Sequence, residues 1–477
     1  MKSEGIYNVV VIGAGTAGLV TAAGTAGLGG RVALIERNKM GGDCLNFGCV
    51  PSKALISSAR LAQRIREAGK WGLRNQEPQF EFTEVMQRMR ERRAKIAPHD
   101  SQERFESLGV DVFRGDARFN SPHEVEVDGR RLRARNFVIA TGSRAAIPQI
   151  EGLETVPYFT NETVFDELHQ KPARMIVLGG GPIGCELGQA FSRLGVKITV
   201  LQSGDQLLPP EDSDVGEFMQ QQLVAEGIDV RLNAETKRVR QENGRTVATL
   251  DSGEVSADVL LIAAGRTPNL GSLHLEAAGV KYDEHGIDVN DYLQTSQPHI
   301  YAAGDISARL KFTHTADAAA RVVVRNILMP VQLLRQKVNW NVVPWCTYTE
   351  PEVAHVGLGE KQASKEGVEY DLYRIGVEEL DRATVESETA GFAKILTRKG
   401  SATIIGATIV SAHAGELIHE FVVAMNAGVG LGKLAGMIHA YPTFAELARK
   451  AGDKYNKTRL TPFAKKLFAW LYQRARK

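Results

Sequence analysis

The sequence predicts an α/β protein in which two Rossmann-like dinucleotide-binding domains are followed by a C-terminal α+β domain. Three observations predict it. A β-branched run ending in a glycine-rich turn occurs twice, strands and helices alternate until about residue 338, and Trp340-Asn-Val-Val-Pro344 then opens a different pattern with no third glycine turn. At 477 residues the chain is two to three times the size of a typical domain, so several cores are expected.

The first turn is Val9-Val-Val-Ile-Gly13-Ala-Gly15-Thr-Ala-Gly18, and Met175-Ile-Val-Leu-Gly179-Gly-Gly181-Pro-Ile-Gly184 repeats it 166 positions on (179 − 13). Both read GxGxxG, and the match continues in register. Gly29-Gly-Arg31-Val32 parallels Gly195-Val-Lys197-Ile198, each opening a second strand, and Glu36 ends one strand where Gln202 ends the other. In such a βαβ unit the glycines permit a tight turn, close approach to a pyrophosphate and helix-on-sheet packing, while the helix N-terminus attracts phosphate. A polar residue ending the second strand then meets the ribose hydroxyls. Strand before, helix after and two copies in register make a chance glycine turn a poor account. The uncharged stretch Ile6 to Gly30 holds seven glycines and three threonines, too little hydrophobicity for a membrane helix, and reads as a buried strand and turn. Beyond residue 338, short strands at Tyr370 to Ile375, Ala393 to Leu396 and Thr403 to Val410, with a helix from about Gly415 to Ala427, give the α+β pattern.

Lys+Arg at 58 against Asp+Glu at 56 leaves a formal charge of +2, so no global field argues for nucleic acid or an anionic membrane as the main partner. The chain opens without a basic segment leading into an apolar run and a small-residue cleavage site, which gives a cytoplasmic expectation. Four cysteines, Cys44, Cys49, Cys185 and Cys346, are no disulfide scaffold.

The close pair lies in Gly41-Gly-Asp-Cys44-Leu-Asn-Phe-Gly-Cys49-Val-Pro-Ser-Lys53, which runs into a helical stretch toward Ala68. Near a helix start, thiols at this spacing can approach to disulfide distance, and the helix dipole with a nearby cation lowers a thiol pKa toward the reactive range. Two buried structural thiols are the plainer alternative. No second Cys or His pair stands at ligand spacing, so no metal site is expected there. Cys185 and Cys346 are lone thiols read as packing.

With these residues the chain resembles the flavin-dependent pyridine-nucleotide disulfide oxidoreductases with a CxxxxC redox centre, which include dihydrolipoamide dehydrogenase, glutathione reductase and mercuric reductase. The likeness extends to Ala140-Thr141-Gly142-Ser, Ala264-Gly265-Arg266-Thr-Pro268-Asn269, Tyr301-Ala-Ala-Gly304-Asp305 and Val343-Pro344…Thr349-Glu-Pro-Glu352. It implies an FAD-binding domain in two parts, 1–155 and 271–338, an NAD(P)-binding domain at 156–270, and a dimerisation domain at 339–477. FAD would meet Gly13, Gly15, Gly18, Glu36, Gly42, Lys53, Thr141, Gly142, Gly304 and Asp305; the nicotinamide nucleotide would meet Gly179, Gly181, Gly184, Gln202 and Gly265. Electrons would pass from reduced nicotinamide through FAD to a Cys44–Cys49 disulfide and on to a small oxidant. Cys49 would be the thiolate facing the flavin and Cys44 the exchanging thiol, with Lys53 paired to Glu186 beside the flavin. The active site would be shared across a homodimer.

Gln202-Ser-Gly-Asp205 offers hydrogen bonds but no cation for a 2′-phosphate, which points to NADH, with NADPH as the alternative. His439-Ala-Tyr441-Pro442-Thr443-Phe-Ala-Glu446 departs from the His-Pro-Thr-x-x-Glu of disulfide-reducing members by placing Tyr441 at the acid/base position. A tyrosine with a reference pKa near 10 is no strong base at neutral pH, and losing general catalysis worth about 10² to 10⁴ raises a barrier by roughly 3 to 5 kcal/mol. Tyrosine there resembles mercuric reductase, although the tail from Tyr455 to Lys477 lacks that enzyme's paired cysteines. The acceptor is thus a metal ion, a quinone or an unusual disulfide, the alternative being a dihydrolipoamide dehydrogenase with altered acid/base chemistry.

Two basic stretches remain. Arg88-Met-Arg90-Glu-Arg92-Arg93-Ala-Lys95 reads as a solvated helix face. In the tail, Leu460, Phe463, Leu467, Phe468, Trp470 and Leu471 accompany seven cations and no acid; packing on the dimerisation domain is the readier expectation, and a membrane-surface helix the other.

Overall fold

The computed structural model describes residues 5–307, 310–329 and 331–476. The chain forms two compact units, one drawn from 1–59, 79–203 and 233–339, the other from 60–78, 204–232 and 340–477.

In the first unit the β-branched run becomes the strand Tyr7–Ile12, whose Val9, Val10 and Val11 are fully buried, as expected where helices cover both faces of a parallel sheet. Val32–Glu36 and Arg130–Ile139 flank it in parallel, Asp111–Arg114 lies beyond Val32–Glu36, and Ile300–Ala302 pairs with the C-terminal half of Arg130–Ile139. The N-terminal half of that long strand turns to an antiparallel ribbon with Glu124–Val127 and Ala117–Ser121. Helix Thr16–Gly27 follows the first glycine turn and packs against helix Thr313–Leu328. A Cβ on Gly24 would lie 3.3 Å from the Val324 side chain.

The second glycine turn repeats this construction. Arg174–Leu178 lies between Lys197–Leu201 and Val259–Ile262, all parallel. Val9 is opposite Val32 in the first copy and Met175 opposite Ile198 in the second, an offset of 23 residues in both. The antiparallel strands Arg238–Glu242, Arg245–Leu250 and Gly253–Ala257 extend this half, and the short pair Ser143–Ala145 with Arg266–Pro268 stands apart from both sheets.

The first unit corrects one expectation. Helix Phe82–Ile96 carries the arginine stretch, but Arg88, Arg90 and Arg93 are half-buried and tie chain segments together. Arg88 donates to the Ala54 carbonyl and the Ser58 hydroxyl, both at 3.0 Å, Arg90 to the Phe165 carbonyl at 3.1 Å, and Arg93 to the Asn46 carbonyl at 2.9 Å and the Asp166 carboxylate at 2.5 Å. A guanidinium fork can satisfy two acceptors at once, which suits it to tying separate chain segments together. Only Arg92 and Lys95 stay in solvent.

The second unit is a five-stranded antiparallel sheet in the order Pro344–Thr347, Glu352–Gly357, Ile404–Ser411, Phe392–Arg398, Tyr370–Gly376. Helices Ala414–Asn426 and Glu446–Thr458 cover one face, closing a core that includes Val356, Ile395, Ile409, Ile418, Phe421 and Leu447. On the other face the fully buried Lys394 ammonium meets Asp212 at 2.6 Å, Asp214 at 2.7 Å and Glu360 at 2.9 Å. Burial alone would push that amine down, but the hydrogen bonds it donates to the three carboxylates outweigh it and hold it above the usual lysine value. One carboxylate oxygen of each acid lies within 4.8 Å of the others, and the ammonium is the cation they surround.

The tail gives a second correction. Thr461 caps a new helix, its hydroxyl accepting from the Ala464 amide at 3.2 Å, and Pro462 opens it. Proline cannot extend the preceding helix, so the buried stripe Leu447, Ala448, Ala451 is not carried forward. The helix Pro462–Arg474 buries no residue, and its apolar side chains stay exposed rather than packed on the domain. Lys477, one of the seven cations, lies outside the described residues.

Candidate active site

Each glycine turn is shaped by contacts that admit no side chain. Gly13 has φ +103°, and a Cβ there would fall 2.4 Å from the Ala140 carbonyl oxygen; Gly179 has φ +111° and would meet the Ala263 oxygen at the same 2.4 Å. A Cβ on Gly18 would lie 1.8 Å from Gly13 O, and one on Gly184 1.9 Å from Gly179 O. Gly15 and Gly181 have room, so the turn's middle glycine leaves backbone open to a ligand rather than avoiding a clash.

The residue ending the second strand braces each turn. Glu36 Oε2 accepts the Ala14 amide at 2.6 Å and Oε1 the Asn38 amide at 2.7 Å, while Gln202 Oε1 accepts the Gly180 amide at 2.8 Å. The two side chains do the same work, one charged and one neutral. Gly42, φ +60°, closes on the first turn, where a Cβ would meet Gly15 Cα at 2.5 Å.

The cysteine motif folds as a short turn of helix, Gly42–Asn46, followed by the helix Cys49–Arg66, which Cys49 begins. Both cysteines are free thiols, and Cys44 is half-buried. A hydrogen bond from Cys44 is the largest influence on Cys49; with the Thr313 hydroxyl at 3.5 Å and the charge of Lys53 it outweighs burial and holds Cys49 down at about 6. The same bond, with burial, holds Cys44 well above the usual thiol value. One cysteine is therefore a thiolate at neutral pH and the other its proton-bearing partner. Lys53, one helical turn past Cys49, pairs with the buried Glu186 at 2.8 Å. Glu186 comes from the helix Pro182–Arg193 of the second glycine turn, beside Cys185, whose buried thiol is pushed up to about 12.

A polar chain lies beside the pair. Asp305, after Gly304 (φ +82°), accepts from the Ser143 hydroxyl at 2.6 Å and faces Arg266 Nε at 3.4 Å; Arg266 also reaches Asp43, next to Cys44, at 3.1 Å. Burial raises Asp43 above the usual carboxylate range against the pull of Arg266. Thr141 donates to the Asn269 carbonyl at 3.0 Å, and Gly142 (φ +65°) and Gly265 (φ +120°) complete the backbone around it. Thr313, Ser143 and Asp43 were missed as site residues; Asp43 had a signal, a carboxylate inside the redox motif, and Thr313, 264 positions from Cys49, had none.

In the second unit the Tyr441 hydroxyl donates to Asp381 at 2.8 Å, and this bond, with the carboxylate's charge, holds it above the usual tyrosine value. Glu446 is buried and accepts from Arg449 at 2.8 Å. His439 is held by Glu420 at 2.9 Å and the Met437 carbonyl at 3.0 Å.

The family model described as pyridine nucleotide-disulphide oxidoreductase matches residues 7–320, and that of the family's dimerisation domain matches residues 343–451. The chain belongs to this family. Among its relatives, the mercuric reductase of Lysinibacillus sphaericus is 33% identical over 460 residues, covering 95% of this chain and 84% of the relative. The dihydrolipoyl dehydrogenase of Chlamydia muridarum is 31% identical over 446 residues, 92% of this chain and 95% of the relative. A solved structure, a Cu(II) complex of the HOCl-induced flavoprotein disulfide reductase RclA from Escherichia coli, superposes with a TM-score of 0.85 at 28% identity, covering 94% of this chain and 99% of that one.

As a member of the pyridine nucleotide-disulphide oxidoreductases the protein is a flavin-dependent enzyme, and family members use FAD and NAD(P)H. The residues fit both groups. Each glycine turn leaves open backbone at a helix start, the arrangement that receives a pyrophosphate, and each has a polar side chain on the adjoining strand end. Among the described residues no helix is long and apolar enough to cross a membrane.

Proposed function

We propose that this oxidoreductase passes electrons from NADH to the Cys44–Cys49 pair and from there to a soft metal ion. The asymmetric pair carries the reading, with Cys49 held as thiolate and Cys44 as thiol. FAD, when bound, supplies the two-electron relay between reduced nicotinamide and the cysteines. In this proposal 1–155 and 271–338 hold FAD, through Gly13, Gly15, Gly18, Gly42, Gly142, Gly304 and Asp305, with Glu36 on the ribose. Residues 156–270 hold the nicotinamide nucleotide through Gly179, Gly181, Gly184, Gly265 and Gln202, whose lack of charge favours NADH.

Lys53 stabilises the Cys49 thiolate and is kept in place by Glu186. Cys44, the less acidic thiol, meets the acceptor. Oxidation of the thiol–thiolate pair to the disulfide forms one S–S bond and releases one proton and two electrons, enough for one two-electron acceptor or two one-electron ions. A disulfide acceptor needs its leaving sulfur protonated, whereas a metal ion bound by thiolates needs no such proton. Tyr441, whose proton Asp381 holds more tightly than in a free tyrosine, is a poor proton donor and suits the second case. The mercuric reductase relatives and the Cu(II) complex of the RclA protein support a metal ion as substrate. Residues 339–477 form a homodimer in this reading, bringing Tyr441 and Glu446 of one copy toward the cysteine pair of the other, in the cytoplasm.

The test is anaerobic reduction by NADH and by NADPH, followed by lipoamide, oxidised glutathione, mercuric ion, cupric ion or a quinone, with the flavin absorbance followed throughout. We expect bleaching by NADH and rapid reoxidation by a metal ion. Rapid reoxidation by lipoamide instead makes the enzyme a dihydrolipoamide dehydrogenase.

A further inference from the structure

We infer that the C-terminal helix Pro462–Arg474 docks the enzyme on an anionic lipid surface. At 100° per residue, Phe463, Leu467, Phe468, Trp470, Leu471 and Tyr472 share one arc of about 200°. All six are exposed, Phe463 at 76% and Trp470 at 51%. Lys465, Lys466 and Gln473 occupy the opposite arc, while Arg474 falls within the apolar arc, its guanidinium 5.2 Å from the Trp470 ring centroid. No acid follows Asp453, while Lys457, Arg459, Lys465, Lys466, Arg474 and Arg476 all carry positive charge.

That combination names its occupant. A wide aromatic and leucine face bordered by cations inserts at the level of lipid headgroups, with the lysine stems reaching back to phosphate. Thirteen residues make a helix of about 20 Å, too short to span a bilayer, so the helix lies in the plane of the surface. A second copy of this chain is the poorer occupant. Helix against helix would set three cations against three, and the matched dimerisation domain ends at residue 451, before the helix begins.

The test is co-sedimentation of the full-length holoenzyme with vesicles of phosphatidylcholine alone and of phosphatidylcholine with phosphatidylglycerol. We expect pelleting with the anionic vesicles only, weakened by salt, and reduced about tenfold or more in the double variant Phe463→Glu/Trp470→Glu. Flavin content and NADH reduction of that variant should match the parent, since the helix holds no residue of the redox site. Equal pelleting of parent and variant, or a parent left in the supernatant with anionic vesicles at low salt, overturns the proposal. So does a fall in oligomer mass of the variant in lipid-free sedimentation velocity, which would assign the face to a second copy.

Discussion

The Tyr441 hydroxyl donates a hydrogen bond to Asp381 at 2.8 Å, and the two residues are 60 positions apart in the chain. That hydrogen bond and the carboxylate's charge hold the phenol above the usual tyrosine value, so it is protonated at neutral pH and, in the proposed function, supplies no base. Tyr441→His should raise lipoamide turnover by about tenfold or more, within the range general base catalysis supplies. Steady-state assays of parent and variant with lipoamide and with mercuric ion check this, and an unchanged lipoamide rate would falsify the role given to Tyr441.

The reduced enzyme should titrate at its cysteine pair. Because Cys49 is held below the free thiol value, it is thiolate above about 6 and thiol below. Alkylation by iodoacetamide and the long-wavelength absorbance of the reduced flavoprotein should therefore fall together as pH drops through that region. Cys44→Ala removes the strongest influence and should move the midpoint upward; Thr313→Val should move it in the same direction by less.

Gly18→Ala and Gly184→Ala should separate the two nucleotide sites. Each places a Cβ within 2 Å of a carbonyl oxygen in its own turn, at 1.8 Å and 1.9 Å, so the turn must open. We expect Gly18→Ala to purify with little flavin and Gly184→Ala to remain yellow but resist bleaching by NADH. A flavin-to-protein ratio and one anaerobic titration read both outcomes.

Gln202→Glu keeps the oxygen that accepts the Gly180 amide and adds a charge. The ratio of kcat/KM for NADH to that for NADPH should rise about tenfold, because a carboxylate repels a 2′-phosphate. No change in the ratio would place coenzyme choice elsewhere in 156–270.

Lys394→Met would leave Asp212, Asp214 and Glu360 facing one another without their cation. Breaking a buried ion pair on one side costs about 3 to 5 kcal/mol, which the urea midpoint should show. Added calcium should recover part of the loss in the variant and leave the parent unchanged, since the three carboxylate oxygens lie within 4.8 Å of one another.

What the sequence made legible was local or repeated. The two glycine turns, the redox motif and the strands from Tyr370 onward carry their signals within about 25 residues, and the structure places the C-terminal strand and helix ends within two residues of the expectation. Side-chain pairings over long separations were not legible. Asp381 under Tyr441, Thr313 under Cys49 and Asp212 under Lys394 are joined only by tertiary folding, and neither period 2 nor period 3.6 encodes them. Lys394 had one local sign, a lysine inside the apolar run Phe392-Ala-Lys-Ile-Leu396. The arginines at 88, 90 and 93 looked like solvent residues because charge pattern alone cannot distinguish water from a backbone carbonyl as acceptor.

The shared brace at Glu36 and Gln202 bears on how such an enzyme can change over generations. Both side chains present an oxygen to the same amide of their turn, so the oxygen is the structural requirement and its charge is free to vary. Under the proposed role of Gln202, a single codon at the strand end changes the favoured coenzyme while the brace on the turn is kept. On that reading a lineage can follow the supply of reducing equivalents in its cell while the turn keeps its brace.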